Sequence, residues 1–168
     1  MKKSRRLGKS SELIIPMLIV LTMVVLVRVF LFDVNLVQGS SMCTTLYNGD
    51  VLVARKYGDI KRGDIVTIRS DVKDEELIVK RVVGMPGELI QIDDEGIVYA
   101  DGVAIAEEYQ MPTVGLELPY TSLQLGENEY FVLGDNRYNS YDSRYFGAVS
   151  ADDIRDVAIF RFFPFTVY

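Results

Sequence analysis

Two serines and the only cysteine of the chain lie within four positions of one another. They are Ser40, Ser41 and Cys43 in the stretch "GSSMCTTL" at 39–46. Each hydroxyl or thiol is a potential nucleophile, which needs a base to take its proton. The 168 residues include no histidine, which excludes a Ser-His-Asp triad, a Cys-His protease and metal sites built from histidine. The base of any hydrolase here is therefore expected to be a carboxylate or an amine.

Lys80 is a candidate for that base. It lies within the apolar run "LIVKRVVG" at 77–84, whose length and β-branched residues predict a strand. Successive side chains of a strand alternate between faces, so Lys80 and Arg81 are expected to do different jobs. An apolar face removes water from the ammonium group and lowers a lysine pKa from about 10.4 toward neutrality. Such a lysine is a general base, although an edge-strand lysine with its amine in water explains the local sequence equally well.

A third stretch, "GDNRYNSYDSRYFG" at 134–147, places many polar groups directly after the apolar residues "YFVL". This density is typical of a buried, hydrogen-bonded loop or of a metal loop. The spacing of a calcium-binding EF-hand fails because the central glycine and the terminal glutamate are missing. A solvated surface loop is the alternative interpretation.

These stretches need elements that position them, and the first is an N-terminal membrane anchor. The basic segment 1–12 precedes an apolar run at 13–32, and twenty helical residues span about 30 Å of hydrocarbon. Basic residues before the run predict a cytoplasmic tail at 1–12, an uncleaved transmembrane anchor at 13–32 and an extracytoplasmic domain at 33–168. A buried core helix is disfavoured because the run is long and evenly apolar.

The region beyond the anchor predicts a mainly β fold, so the fold class is a single N-terminal transmembrane helix followed by a β-rich domain. An Asp-Gly pair at 101–102 predicts a two-residue hairpin, and residues 107–128 are predicted to form an irregular segment or long loop. The predicted strands are "VLVARK", "DIVTIR", "ELIVKRVVG", "ELIQID", "GIVYA", "VAIAE", "EYFVLG" and "VAIFRF".

The charge differs between the two parts of the chain. Residues 1–32 hold six of the 18 Lys and Arg and one of the 24 Asp and Glu. The region beyond residue 32 therefore has 12 Lys and Arg and 23 Asp and Glu, a net charge of −11, which argues against nucleic acid as a partner.

Together these features resemble the bacterial type I signal peptidases, the Ser-Lys membrane proteases that remove signal peptides from exported proteins. The resemblance runs from the anchor to the C-terminus, with a short loop between the catalytic stretches as in Gram-positive members. It implies cleavage after small residues of Ala-x-Ala type, without a metal or organic cofactor. It also implies that the partners are the signal peptides of secreted preproteins and the lipid bilayer. The motifs, in the family's order and approximate spacing, are "GSSMCTTLYNGD", "KRGDIV", "VKRVVGMPGE" and "GDNRYNSYDSRYFG".

The resemblance also assigns roles to individual residues. Ser41, directly before Met42, matches the nucleophile, and Lys80 matches the general base. Gly39 falls where some members carry a serine that stabilises the oxyanion, which leaves the Ser41 backbone N–H as the main oxyanion donor. Ser140 matches the serine that hydrogen-bonds the base lysine. Two ion pairs that brace the site are implied, Arg81 with Asp135 and Asp142 with Arg144.

Some positions depart from the family pattern. Thr44 stands where the family has proline, and Glu88 replaces the usual aspartate, but neither change removes a reacting group. A catalytically silent relative, acting as a membrane-tethered binding or pilus-assembly factor, is the alternative function. A self-cleaving repressor would share the Ser-Lys pair but requires a DNA-binding domain where this chain has its anchor.

Overall fold

The computed structural model describes residues 10–70, 77–107, 118–163 and 165–168. Helix α1 (Ser10–Phe30) contains an 18-residue segment, Leu13–Phe30, with a mean hydropathy of 2.8. Within the described ranges it is the one helix long and apolar enough to cross a membrane. The helix ends before the predicted limit of 13–32, because Phe32 already belongs to a strand and pairs with Arg55.

The rest of the described chain is β-rich, as predicted, and forms two sheets. The larger sheet has the order β1-β2-β11-β3-β4-β9-β10, with β12 added to β11, and the smaller has the order β7-β6-β5-β8. One short helix, α2 (Ser143–Phe146), follows β9. The strands are β1 (Phe32–Leu36), β2 (Val51–Arg55), β3 (Ile65–Arg69), β4 (Leu77–Gly84), β5 (Leu89–Ile92), β6 (Val98–Ala100), β7 (Val103–Ala104), β8 (Ser122–Gln124), β9 (Glu129–Leu133), β10 (Val149–Ser150), β11 (Ile154–Phe163) and β12 (Thr166–Val167).

Each of the eight predicted strands overlaps an observed strand, although the predicted strand at 103–107 is limited to Val103–Ala104. Four further strands, β1, β8, β10 and β12, were not predicted. The Asp-Gly hairpin is confirmed: Asp101 and Gly102 have φ of 50° and 79° and join β6 to β7, as a two-residue turn requires. The predicted excursion at 107–128 contains β8, while its residues 108–117 lie outside the described part of the chain.

One apolar cluster lies directly under the candidate nucleophile. Met42 is 2% exposed and packs with residues from the neighbouring loops and strands. Burying a methionine side chain contributes about 1.5–3 kcal/mol, so the residue next to Ser41 anchors the backbone of this segment. The other buried members of the cluster are Val37, Leu46, Leu52 and Ile65.

Two strands of the larger sheet carry free edges that face one site. Among the described residues β1 pairs only with β2, and the Leu77–Lys80 half of β4 pairs only with β3, because the ladder to β9 begins at Arg81. Four successive antiparallel pairings separate β1 from β4, so the two strands run in the same direction. These two edges lack a second neighbouring strand among the described residues, so an added strand can pair with them.

Candidate active site

Ser41 and Lys80 meet although 39 positions separate them in the chain. Lys80 Nζ lies 3.0 Å from Ser41 Oγ, within hydrogen-bond distance, and also donates to the Val79 carbonyl at 3.1 Å. Lys80 is only 4% exposed, so its amine is not that of a solvated edge-strand lysine. A nucleophile and an amine base in direct contact are the minimum arrangement for acyl transfer without histidine.

The two neighbouring serines are distinguished by their partners. Asn139 Nδ2 donates to the Ser40 hydroxyl at 2.8 Å, and Asn136 Nδ2 donates to the Ser40 carbonyl at 3.2 Å. The Asn136 backbone N–H donates to the Ser41 carbonyl at 2.9 Å. The Ser40 side chain is thus held by the 134–147 loop, while that of Ser41 faces Lys80. The two asparagines were not singled out as site residues from the sequence.

Gly134 allows this loop to approach the nucleophile closely. A Cβ built on Gly134 would lie 2.6 Å from both the Ser140 Cβ and the Ser41 carbonyl oxygen, and closer still to Ser140 Oγ. The sequence analysis did not single out Gly134, but a glycine at the end of a predicted strand is a signal that could have indicated this contact, because it often marks a close backbone approach.

Ser140 lies in the site but does not form the expected hydrogen bond to Lys80. Its Oγ is buried and has no hydrogen-bond partner among the described residues, whereas Lys80 Nζ donates to Val79 and contacts Ser41 Oγ. In this structure the Ser140 hydroxyl packs against Gly134 instead.

Arg81 and Asp135 form a buried bidentate ion pair. Arg81 Nε and Nη2 lie 2.8 and 2.7 Å from the two Asp135 oxygens, and Arg81 Nη1 donates to the Gly63 carbonyl at 2.8 Å. The Thr45 hydroxyl donates to the same carboxylate at 2.5 Å. This fork joins β4, the nucleophile turn and the 134–147 loop, so the strand that carries Lys80 is tied to the segment that carries Ser41.

Asp142 and Arg144 form the second pair and organise the loop itself. Arg144 Nε and Nη2 donate to the Asp142 oxygens at 2.8 and 2.9 Å. Asp142 also accepts from the Gly134 N–H at 3.0 Å, and Arg144 donates to the Arg137 carbonyl at 2.9 Å. Both side chains are at most 1% exposed, so the stretch is a buried polar loop and not a solvated one.

The remaining predicted positions surround the nucleophile turn. Gly39 is exposed, has φ of +86° and donates its N–H to Asn48 Oδ1 at 3.1 Å. Open space surrounds the place of its missing side chain. Cys43 is half-buried and Thr44 exposed. In the described part of the chain, no three Cys, Asp or Glu side chains are grouped so as to hold a metal ion.

A groove of about 510 Å³ leads from the start of β1 to Ser41 and Lys80. Residues from β1, β3, β4 and β11 line it, including Asp33, Asn35, Thr67 and Arg155. Burial acts to raise the pKa of the Asp33 carboxyl, but the Val34 N–H together with the guanidinium groups of Arg155 and Arg28 outweighs burial and lowers it.

Asp156 lies beside the groove wall, and its pKa is shifted in the opposite direction from that of Asp33. It is 2% exposed and accepts from Asn35 Nδ2 at 3.0 Å. Burial raises the pKa of Asp156 despite hydrogen bonds from Thr67 and Asn35.

Comparison with known proteins identifies one matching family model and several similar proteins. The family model described as "Signal peptidase, peptidase S26" matches residues 10–163. Signal peptidase I T of Bacillus subtilis (strain 168) is 38% identical over 160 residues, which are 88% of this chain and 82% of that protein. Signal peptidase I of Bacillus licheniformis is 34% identical over 177 residues, 98% of this chain and 94% of that protein. A crystal structure of a signal peptidase I from Enterococcus faecalis V583 matches with a TM-score of 0.49 and 33% identity, covering 60% of this chain and 97% of that one.

Proposed function

The chain belongs to the signal peptidase family, peptidase S26; it is a serine endopeptidase that removes signal peptides, and we propose that Ser41 and Lys80 cut the peptide bond. The contact of 3.0 Å between Lys80 Nζ and Ser41 Oγ is the observation that supports this assignment best. The same contact argues against a catalytically silent relative.

In the proposed reaction, neutral Lys80 takes the proton of Ser41 as the hydroxyl oxygen attacks the scissile carbonyl. The carbonyl oxygen becomes an oxyanion, which the Ser41 backbone N–H stabilises. Lys80 then gives its proton to the leaving amine, and the C–N bond breaks to leave an acyl-enzyme. Water attacks the ester as Lys80 again accepts a proton, which returns to Ser41 Oγ when the acid product leaves.

The substrate segment is proposed to bind as an extended strand between the free edges of β1 and β4. Both strands begin at the anchor side of the domain and run toward Ser41 and Lys80. A signal peptide has its cleavage site just beyond its own apolar segment, so it leaves the membrane and runs parallel to β1. Main-chain hydrogen bonds would supply affinity. Cleavage after small residues, of Ala-x-Ala type, is part of the proposal.

The apolar helix agrees with membrane anchoring, and the orientation is proposed from charge. The five lysines and arginines of segment 1–12 precede the span, which favours a cytoplasmic amino end, a single pass and an extracytoplasmic catalytic domain at 33–168. The proposed partners are therefore preprotein signal peptides and the lipid bilayer. The net charge of −11 beyond residue 32 supports the absence of nucleic acid from this set.

The test is to incubate the detergent-solubilised full chain with a preprotein that bears an Ala-x-Ala site and to determine the mass of the new N-terminus. Ser41→Ala is expected to abolish cleavage, whereas Ser40→Ala and Cys43→Ser retain most of it, because Lys80 faces one hydroxyl only. Equal loss in both serine variants would refute the assignment of Ser41. An inactive Cys43→Ser enzyme beside an active Ser41→Ala enzyme would identify a cysteine protease instead.

A further inference from the structure

The anchor end of the groove contains an excess of positive charge. Asp33 is 5% exposed and lies against three cations. Arg28 Nη1 is 2.9 Å from its carboxylate, Lys56 Nζ is 4.0 Å away, and Arg155 Nη2 contacts it directly. We call Arg28, Asp33, Lys56 and Arg155 the groove-mouth cluster. Its net charge is +2, or +1 when the Asp156 carboxyl beside Arg155 is counted, whereas the domain at 33–168 has a strongly negative net charge.

Arg155 is the cation of this cluster that lines the groove. Its side chain is 34% exposed, and it shares the groove wall with Ser41 and Lys80. Its Nε lies 3.8 Å from the buried Asp156 carboxyl. The guanidinium is thus held in place by contacts with Asp33 and Asp156, while about a third of the side chain remains accessible to a bound chain.

One side-chain contact across the groove locates the cluster along a bound substrate. Thr67 pairs with Val79, and Asn35 Nδ2 donates to Thr67 Oγ1 at 3.1 Å. The Asn35 side chain therefore reaches the Thr67–Val79 pair, one residue before Lys80. Asp33 is two residues nearer the anchor, or about 7 Å along the strand. If Lys80 marks the first substrate residue before the scissile bond, the Asp33–Arg155 pair faces about the fourth.

We propose that Arg155 is a specificity-determining residue that favours an acidic side chain, and disfavours a basic one, four to five residues before the scissile bond. This inference rests on the proposed function, because it assumes that the groove holds the segment between the apolar part of the signal peptide and its cleavage site. A half-exposed ion pair contributes little by itself. Exchanging an acidic for a basic substrate residue replaces an attraction by a repulsion. We therefore expect kcat/KM for the acidic substrate to exceed that for the basic substrate by about threefold to tenfold.

The experiment compares matched preproteins that carry Asp, Asn or Lys at the fourth or fifth residue before one Ala-x-Ala site. The wild-type enzyme is expected to cleave the Asp substrate with a kcat/KM about threefold to tenfold above that of the Lys substrate. Arg155→Gln should bring this ratio close to one, and Arg155→Lys should retain most of it. Lys61→Gln, which removes an exposed cation from the turn before β3, is the matched control and should leave the ratio unchanged.

Both substrates are assayed with one enzyme preparation. A loss of folded protein therefore lowers the rates with the Asp and Lys substrates by the same factor and leaves their ratio unchanged. Asp33→Asn provides a second arm: it removes the carboxylate that neutralises Arg155, and the preference for Asp should increase. A wild-type ratio of one at both positions, a ratio retained in Arg155→Gln, or an equal fall in Lys61→Gln would overturn the inference. If Arg155→Gln proves inactive, an unchanged ratio in Asp33→Asn would also overturn the inference. Cleavage of the Asn substrate by the wild type reports separately on the proposed function.

Discussion

Gly134→Ala is the substitution that most directly tests how the nucleophile is positioned. The added Cβ would lie 2.6 Å from both Ser140 Cβ and the Ser41 carbonyl oxygen, and real Cβ atoms essentially never approach other atoms so closely. Asp142 also accepts from the Gly134 N–H, so the loop cannot easily withdraw. The clash must therefore move either Ser140 or the Ser41 backbone.

Overpacking of this kind destabilises a protein by about 1–3 kcal/mol. For a chain of this length, about 2 kcal/mol corresponds to a fall in Tm of about 4–8 °C. The effect on catalysis is expected to be larger, because a displacement of about 1 Å at a reacting group costs about a hundredfold in rate. Most of that loss should fall on kcat, since the β1 and β4 edges proposed to bind the substrate do not contact Gly134.

Gly84→Ala is the matched control. Its added Cβ would lie 2.7 Å from Phe131 Cβ and 2.8 Å from Ile90 Cδ1, a clash of similar severity in the core beyond the catalytic end of β4. Both variants are assayed in detergent for thermal unfolding and for preprotein cleavage, with kcat expressed per folded enzyme. We expect both variants to lose a similar amount of Tm, but only Gly134→Ala to lose kcat. If kcat of Gly134→Ala stays within about threefold of the wild type, the loop does not hold Ser41 in place.

Two further predictions concern charge and protonation. Lys80→Arg keeps the positive charge but should lose about a hundredfold or more in kcat/KM, because a guanidinium does not accept a proton near neutral pH; an active variant would require another base. Asp156→Asn should raise the Tm at pH 8 but not at pH 3. Burial raises the pKa of this carboxyl, so the folded state holds the proton more tightly and stability falls as pH rises from about 3.8 through the folded pKa. An equal change in Tm at both pH values would contradict this sign.

Local patterns predicted those parts of the fold that depend on neighbours in sequence. Period-two apolar runs placed eight strands, and the Asp-Gly pair placed the β6–β7 turn. β1 was missed because its first residue, Phe32, belongs to the apolar run of the anchor, and apolar residues lie on both sides of the point where the helix ends at Phe30. The strand exists because its backbone pairs with β2, a contact between residues about 20 positions apart.

The candidate site was predicted less completely, for the same reason. Sequence patterns suggested the Ser41 region and Lys80 as reactive groups, but the choice of Ser41 over Ser40 came from family resemblance. Its physical basis is tertiary: Asn139 binds the Ser40 hydroxyl across 99 positions. The Asp33–Arg155 pair spans 122 positions and has no local signature. The expected Ser140–Lys80 bond is absent, since side-chain hydrogen bonds depend on rotamers that sequence does not specify.

Contacts that position Ser41 and contacts that select the substrate lie in different parts of the site, and a substitution in each should change a different kinetic quantity. The buried Met42 fixes the nucleophile turn from below, and the 134–147 loop fixes it from the side through the Asn136 N–H and the close approach of Gly134. Changes in these contacts move a reacting atom and should therefore lower kcat. Arg155 contacts neither reacting side chain; it lies at the anchor end of the groove, where a substrate residue passes before reaching Ser41. A change there alters binding of one substrate relative to another and should therefore change the ratio of kcat/KM between the Asp and Lys substrates. Because the two responses are independent, Gly134→Ala and Arg155→Gln together distinguish positioning of the nucleophile from selection of the substrate.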